Sequence, residues 1–124
     1  MKPKSYRELV VWQKAMGLAV EIHPIALSFP KVEMFGLTSQ LNRCSTSVPS
    51  NIAEGQGRRT TGDFIHFLGI AQGSLNEAET QITLALRYDY IPEIVHDHLL
   101  EKTSEVGRIL NGLIASLEQR RAKN

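Results

Sequence analysis

The sequence predicts an all-α protein, an up-down-up-down four-helix bundle in a single domain, residues 1–124. Apolar residues recur at helical spacing almost throughout, and no segment alternates with the β-branched and aromatic enrichment of a strand. The breaks between periodic segments are short, which makes consecutive helices antiparallel neighbours. With 42% hydrophobic and 22% charged residues, the chain has enough apolar material for one core.

The first helix is read from Leu9, Trp12, Met16, Ala19, His23 and Ala26, at alternating steps of three and four. Pro24 lies inside that run and predicts a kink, because it removes a backbone donor. FPKVE then breaks the pattern. In the second helix Leu37, Leu41, Cys44, Val48, Asn51 and Gly55 stay in phase across Pro49, so one helix bent at Pro49 is expected rather than two. The proline leaves the Ser45 carbonyl without its helical partner, and Thr46, Ser47 and Ser50 supply nearby hydroxyls. GQGRRTT ends this helix, with Gly55 or Gly57 expected in the left-handed conformation. Thr60-Thr61-Gly62-Asp63 resembles a capping box that opens the third helix.

That third helix has the clearest seam. Phe64, Leu68, Ala71, Leu75, Ala78, Ile82 and Ala85 step by 4, 3, 4, 3, 4, 3. After YDYIP, the fourth helix repeats the rhythm in Leu99, Thr103, Val106, Leu110, Leu113 and Leu117. Ile65, Phe67, Ile70, Leu100, Ile109 and Ile114 fall outside the regular seams and suggest a further contact surface, or a widened core stripe.

Cys44 is the only cysteine, which excludes an intrachain disulfide and a thiolate zinc cluster and suits a reducing compartment. The N-terminal MKPKSYRELVVWQKAM is broken by charges, unlike a signal-peptide core, and no apolar run approaches a membrane span. A cytoplasmic location without membrane contact is expected.

Ser47, Asn51, Glu54 and Arg58 fall on one polar ridge of the second helix, and Ser74, Glu77 and Gln81 form a stripe on the third, beside His66 and Gly73. Buried polar groups must be paired, so a structural hydrogen-bond network is expected there.

Enzyme templates fit poorly. GQGRRTT lacks the preceding strand and the Lys-Ser/Thr pair of a phosphate loop. A metal-binding carboxylate bundle needs Glu-x-x-His on two helices, and only Glu93-Ile94-Val95-His96 matches. His98, two residues on, points elsewhere on a helix, and Glu54 and Glu77 lack a histidine three residues later. Cys44 makes a thiol-imidazole pair only if the fold joins it to a histidine. His23 and His66 read as partly buried histidines, and Trp12, Phe64 and Phe67 as packing residues rather than a base-stacking platform. No catalytic residues, cofactors or metals are expected.

VWQKAM, FPKVEMFGLTSQLNRCSTSVPSNIAEGQGRR and FLGIAQGSLNEAETQ closely resemble the four-helix-bundle proteins encoded in intervening sequences of bacterial large-subunit (23S) ribosomal RNA genes. The most specific part is S-x-P-S-N-I-A-E-G-x-G-R, present as Ser47, Pro49, Ser50, Asn51, Ile52, Ala53, Glu54, Gly55, Gly57 and Arg58, followed by Gly73, Ser74 and Glu77. HPI at His23 to Ile25 replaces a tyrosine-containing stretch, which bears on the straightness of the first helix, and Asn42-Arg43-Cys44 has one positive charge fewer than Arg-Arg-Ala. The resemblance implies a left-handed bundle assembled into a ring-shaped homopentamer, with no established catalytic activity. A related accessory protein of diversity-generating retroelements has this fold and binds nucleic acid and a reverse transcriptase.

Charge placement supplies a separate lead. In such a bundle the N-terminus, the turn between helices two and three, and the C-terminus share one end. Lys2, Lys4, Arg7, Arg58, Arg59, Arg120, Arg121 and Lys123 gather there, eight of the fourteen Lys and Arg in a chain of net charge +1. A ring of parallel bundles would present one basic face to phosphates. Arg58 also lies four residues after Glu54, a spacing for an ion pair that leaves Arg59 and the tail to carry the contact. The expected function is therefore a non-enzymatic helical assembly protein acting as an RNA- or nucleoprotein-binding accessory factor of weak sequence selectivity. Its rivals are a purely structural protein-protein scaffold and, behind that, the metal-binding bundle.

Overall fold

The computed structural model describes residues 5–123, so Lys2 and Lys4 lie outside the described residues. The apolar periodicity becomes four helices: α1 (Val10–Leu27), α2 (Leu37–Gln56), α3 (Thr61–Arg87) and α4 (Glu93–Lys123). Short 3-10 turns at Tyr6–Glu8 and Lys31–Glu33 precede α1 and α2. No strand occurs among the described residues, and none of their helices is long and apolar enough to cross a membrane.

Side-chain contacts fix the up-down-up-down course. Along α2 and α3, Ser47 meets Ser74 at 2.8 Å and Cys44 meets Gln81 at 3.2 Å, numbers rising on one helix as they fall on the other. Along α3 and α4, Glu79 accepts from Thr103 at 2.6 Å and Thr83 meets His96 at 3.2 Å. His98 reaches Glu21 at 2.8 Å and Lys14 reaches Glu105 at 3.5 Å, closing α4 onto α1 in the same antiparallel sense.

The expected seams of α3 and α4 form the core. Leu68, Ala71, Leu75, Ala78, Ile82 and Ala85 are buried, as are Leu99, Thr103, Val106, Leu110 and Leu117, while Phe64 and Leu113 are half-buried at the seam's end. In α2, Leu37, Leu41, Cys44, Val48 and Gly55 are buried as expected, and Ile52 replaces the half-buried Asn51 as the inward residue.

The seam expected of α1 is corrected. Val11, Ala15, Leu18, Ile22 and Ala26 face the core, whereas Met16 and His23 are exposed and Trp12 and Ala19 are half-buried. This helix is apolar on more than one side, so two adjacent stripes satisfy the helical period and only the neighbouring helices select between them. The helix continues through Pro24 to Leu27.

Likewise α2 is continuous across Pro49. Ser50 donates to the Thr46 carbonyl at 2.8 Å, and Thr46 lies 3.0 Å from the carbonyls of both Asn42 and Arg43. The Ser47 hydroxyl bonds across to Ser74 on α3.

The left-handed glycine expected at the end of α2 does not occur. Gly57 has φ −78° and no described glycine has a positive φ. Gly55 is small for another reason: a Cβ there would lie 2.7 Å from the Phe67 Cβ and 3.0 Å from the Phe64 ring. Two helices joined by a turn this short are in near contact at the corner, and there is no room for a methyl group.

The left-handed residue is instead Asp89, φ 62°, after α3. Tyr90 N–H donates to the Ala85 carbonyl at 2.8 Å and Asp89 N–H to Leu86 at 3.0 Å, the paired bonds of a Schellman ending. At the start of α3 the expected cap is present, with the Thr60 hydroxyl accepting from Asp63 N–H at 3.0 Å. At the far end of the bundle, Glu33 accepts from Leu37 N–H at 3.1 Å and from the Tyr90 hydroxyl at 2.8 Å. One carboxylate thus caps α2 and ties its entry to the α3–α4 turn.

Candidate functional site

Antiparallel packing brings the 3-10 turn before α1, the α2–α3 turn and the last turns of α4 to one end. A cavity of about 110 Å³ lies between them. Leu9, Phe64, Leu113 and Leu117 form its apolar lining, and Gln56, Arg58, Arg59, Thr60, Thr61 and Arg120 its polar lining. The guanidinium of Arg121 packs over the Gly62 backbone in the first turn of α3, 3.3 Å from where a Cβ would stand. Three cations from two remote segments thus border one cavity, with the fourth beside it. They crowd the positive end of the α3 dipole, where anions are favoured and cations are not.

The four arginines are not equivalent. Arg58 donates to Glu54 at 2.7 Å and lies 4.7 Å over the Phe67 ring, so it is held by a carboxylate and an aromatic face. Arg59, Arg120 and Arg121 are exposed and have no carboxylate within 4.0 Å among the described residues. Lys123 is exposed at the end of α4, and Arg7 lies 5.6 Å from the Tyr6 ring. Phe64 packs at the core's margin against Gly55, and the half-buried Phe67 lies under Arg58, so both aromatic rings serve packing at this end.

The polar ridge resolves into separate groups. Asn51 donates to the Ser47 carbonyl at 2.8 Å and its hydroxyl at 2.9 Å, and Ser47 shares a hydrogen bond with Ser74. Gln81 accepts from the Cys44 thiol at 3.2 Å and donates to Gln40 at 3.4 Å. Glu54 lies outside this network, exposed and paired with Arg58, and Glu77 is exposed as well. Among the described residues, every buried side-chain N or O has a partner. Burial, with the Glu77 charge second, pushes the Cys44 thiol up to about 11.

Cys44 is bonded to glutamine and backbone, and is joined to no histidine. His96 contacts Thr83 and Asp97, so the histidine of the Glu93 to His96 motif is engaged by a hydroxyl and a neighbouring carboxylate, and His98 contacts Glu21. No group of three or more His, Cys, Asp and Glu side chains is placed to hold a metal among the described residues. His23 and His66 are exposed, not partly buried as expected; His23 pairs with Asn42 at 3.3 Å and His66 with the Phe67 ring.

Of the apolar residues outside the seams, Ile65, Leu100, Ile109 and Ile114 pack against the core's margin, Phe67 is half-buried, and only Ile70 is exposed. The prominent exposed apolar groups are Val32 at 85%, Phe35 at 91% and Ile94 at 79%, in the α1–α2 connection and the first turn of α4. Periodicity misses them because they lie outside, or at the very start of, the regular helices.

No curated protein matches the chain. Among solved structures, a protein of unknown function from the S23 ribosomal protein family of Bacteroides thetaiotaomicron is similar, with 27% identity and a TM-score of 0.78 over 86% of this chain and 96% of the other. The model of the 23S rRNA-intervening sequence protein family matches residues 7–112, from the turn before α1 into α4. That match reaches into all four helices and includes the Ser47 to Arg58 run that carries the polar ridge, while Arg120, Arg121 and Lys123 lie beyond it, and the chain belongs to this family.

Proposed function

We propose that the protein is a non-enzymatic, cytoplasmic assembly protein that binds RNA or a nucleoprotein through the phosphates, using the basic end of the bundle. The observation that carries this reading is the convergence of Arg58, Arg59 and Arg120 on one cavity, with Arg121 beside them. Arg58 and Arg120 are remote in sequence, and the antiparallel course of the helices brings them together. Arg59, Arg120 and Arg121 supply charge that no described carboxylate pairs with, and Lys123 extends it. Phosphate contacts of this kind position a nucleic acid without reading its sequence, which gives weak selectivity. The chain acts as a homo-oligomer, with five subunits as the family resemblance implies, and a ring multiplies several weak contacts into one avid face.

The test is fluorescence anisotropy with a structured RNA and with duplex DNA across a salt series. Binding at low salt fades as salt rises, with a logarithmic slope of about −0.9 per neutralised phosphate on duplex DNA and about −0.7 on single strands. Changing Arg59, Arg120 and Arg121 together to Glu abolishes binding and leaves the sedimentation of the oligomer unaltered. A wild-type protein that ignores nucleic acid at low salt overturns the reading.

A protein-protein scaffold is the second reading, and Val32, Phe35 and Ile94 favour it. Exposed apolar groups at the end opposite the arginines are the kind of feature that marks an interface. Affinity purification from nuclease-treated and untreated lysates separates the two: partners that survive nuclease support the scaffold.

A further inference from the structure

Arginines alone would make a surface patch, yet this end of the bundle also has a hole with an apolar lining. Leu9, Phe64 and Leu113 pack against the core's margin, and what they leave uncovered lines the same space as Arg58, Arg59 and Arg120. Apolar walls under a cationic rim fit a ligand that is itself flat and apolar at one end and anionic at the other. An unstacked nucleotide in a strand has that build: a ring with a π-face, flanked on both sides by phosphates.

Size narrows the choice. A dry cavity of about 150 Å³ accepts a single benzene ring. At about 110 Å³ the cavity is smaller than that, so it admits a single six-membered ring only with its edge left at the mouth and has no room for a fused purine. Thr60 and Thr61 line the same space, and their hydroxyls can both donate and accept, as a pyrimidine's carbonyl and ring N–H need. Paired bases in a duplex are stacked and cannot enter.

We propose that this cavity takes the base of one unpaired pyrimidine in a single-stranded segment of nucleic acid, while Arg59 and Arg120 hold the adjoining phosphates. The inference rests on the basic-end reading above and adds the feature recognised there. Arg58, already held by Glu54 and Phe67, forms a fixed wall, so the adaptable contacts come from Arg59 and Arg120.

The test compares labelled twelve-nucleotide strands at one low salt concentration by anisotropy: oligo-uridylate, oligo-adenylate, an abasic strand of equal charge, and a duplex. Oligo-uridylate is expected to bind at least about fivefold more tightly than the abasic strand, the lower range of what one stacked base contributes. Leu113→Phe fills the cavity and is expected to erase that advantage; Leu9→Phe, read the same way, replaces it if Leu113→Phe does not fold by circular dichroism. Equal affinity for uridylate, abasic strand and duplex overturns the cavity inference and leaves the basic face standing. Binding of none of them overturns both. Uridine monophosphate competing as strongly as the strand, per nucleotide, overturns the assignment to a strand by making a free nucleotide the occupant.

Discussion

Gly55 and Gly57 are two residues apart in sequence and opposite in their demands. A methyl group at 55 meets Phe67 Cβ at 2.7 Å and the Phe64 carbonyl at 3.2 Å, atoms that move only with α3 itself. Gly55→Ala is expected to cost about 1–3 kcal/mol in urea denaturation, the range for overpacking. Gly57 is exposed in a right-handed conformation, with nothing closer than 3.7 Å to a Cβ, and Gly57→Ala should be neutral or stabilise by up to about 1 kcal/mol. Equal costs at both positions would refute the close-approach argument. Cys44 gives a pH signature. Burial raises its pKa from 9.0 to about 11, so above pH 9 the unfolded chain releases a proton that the folded chain retains. This contribution to stability is full below pH 9 and is lost as pH rises through about 11. Tyr90, raised from 10.0 chiefly by its hydrogen bond to Glu33, acts in the same direction. Urea midpoints measured between pH 8 and 11 should fall, and Cys44→Ala should fall less steeply; an unchanged slope in that variant removes Cys44 as the cause.

At the scale of the helix, the ends of α3 are set by different chemistry. Thr60 caps the start by accepting from Asp63 N–H, and Thr60→Ala should cost about 1 kcal/mol. The cap was legible because Thr60 to Asp63 carries its own local signature, a hydroxyl followed by an acidic residue three positions on. The other end was not legible. Asp89 holds φ 62° in a Schellman ending, where glycine is the usual occupant, and nothing in YDYIP advertises it. Asp89→Gly removes the left-handed strain and adds some unfolded-chain entropy, so a net stabilisation of up to about 1 kcal/mol is expected by thermal denaturation. A loss of stability there would mean that the aspartate side chain contributes more than its backbone strain costs. In α2, the survival of the helix across Pro49 was legible from phase, because Leu41, Val48 and Ile52 keep one stripe through it. The seam spacing puts Asn51 on that stripe, yet the next residue, Ile52, takes the inward place; apolar burial outweighs a polar group that already satisfies itself on Ser47 one turn back.

Across the whole molecule the two ends differ in kind. One gathers Arg58, Arg59, Arg120 and Arg121 around or beside a cavity, and the other exposes Val32, Phe35 and Ile94. If assembly uses the apolar surface, sedimentation at micromolar concentration should show a species several times the 13.9 kDa chain, insensitive to salt that abolishes nucleic-acid binding. A monomer under those conditions refutes the assembly proposal, and co-loss of assembly and binding with salt would mean that charge, not apolar burial, holds the subunits together.

The helical class, the core stripes of α3 and α4 and most of that of α2 are legible in the residues alone, because the seam residues of each keep one helical period. The sequence also determined that residues around 7, 58 and 120 share an end, since short connections make alternate helix ends coincide. Only the tertiary structure decided which side of α1 turns inward, because Val11, Ala15, Leu18 and Ile22 compete with Leu9, Trp12, Met16 and Ala19 until α2 and α4 are in place. It alone decided that Glu33 meets Tyr90, 57 residues away, and that Phe64, Leu9, Leu113 and Leu117 leave a space beneath the arginines. Local periodicity specifies a face of a helix; a cavity depends on how several faces fail to fill the volume between them, which is a property of packing and of no single segment.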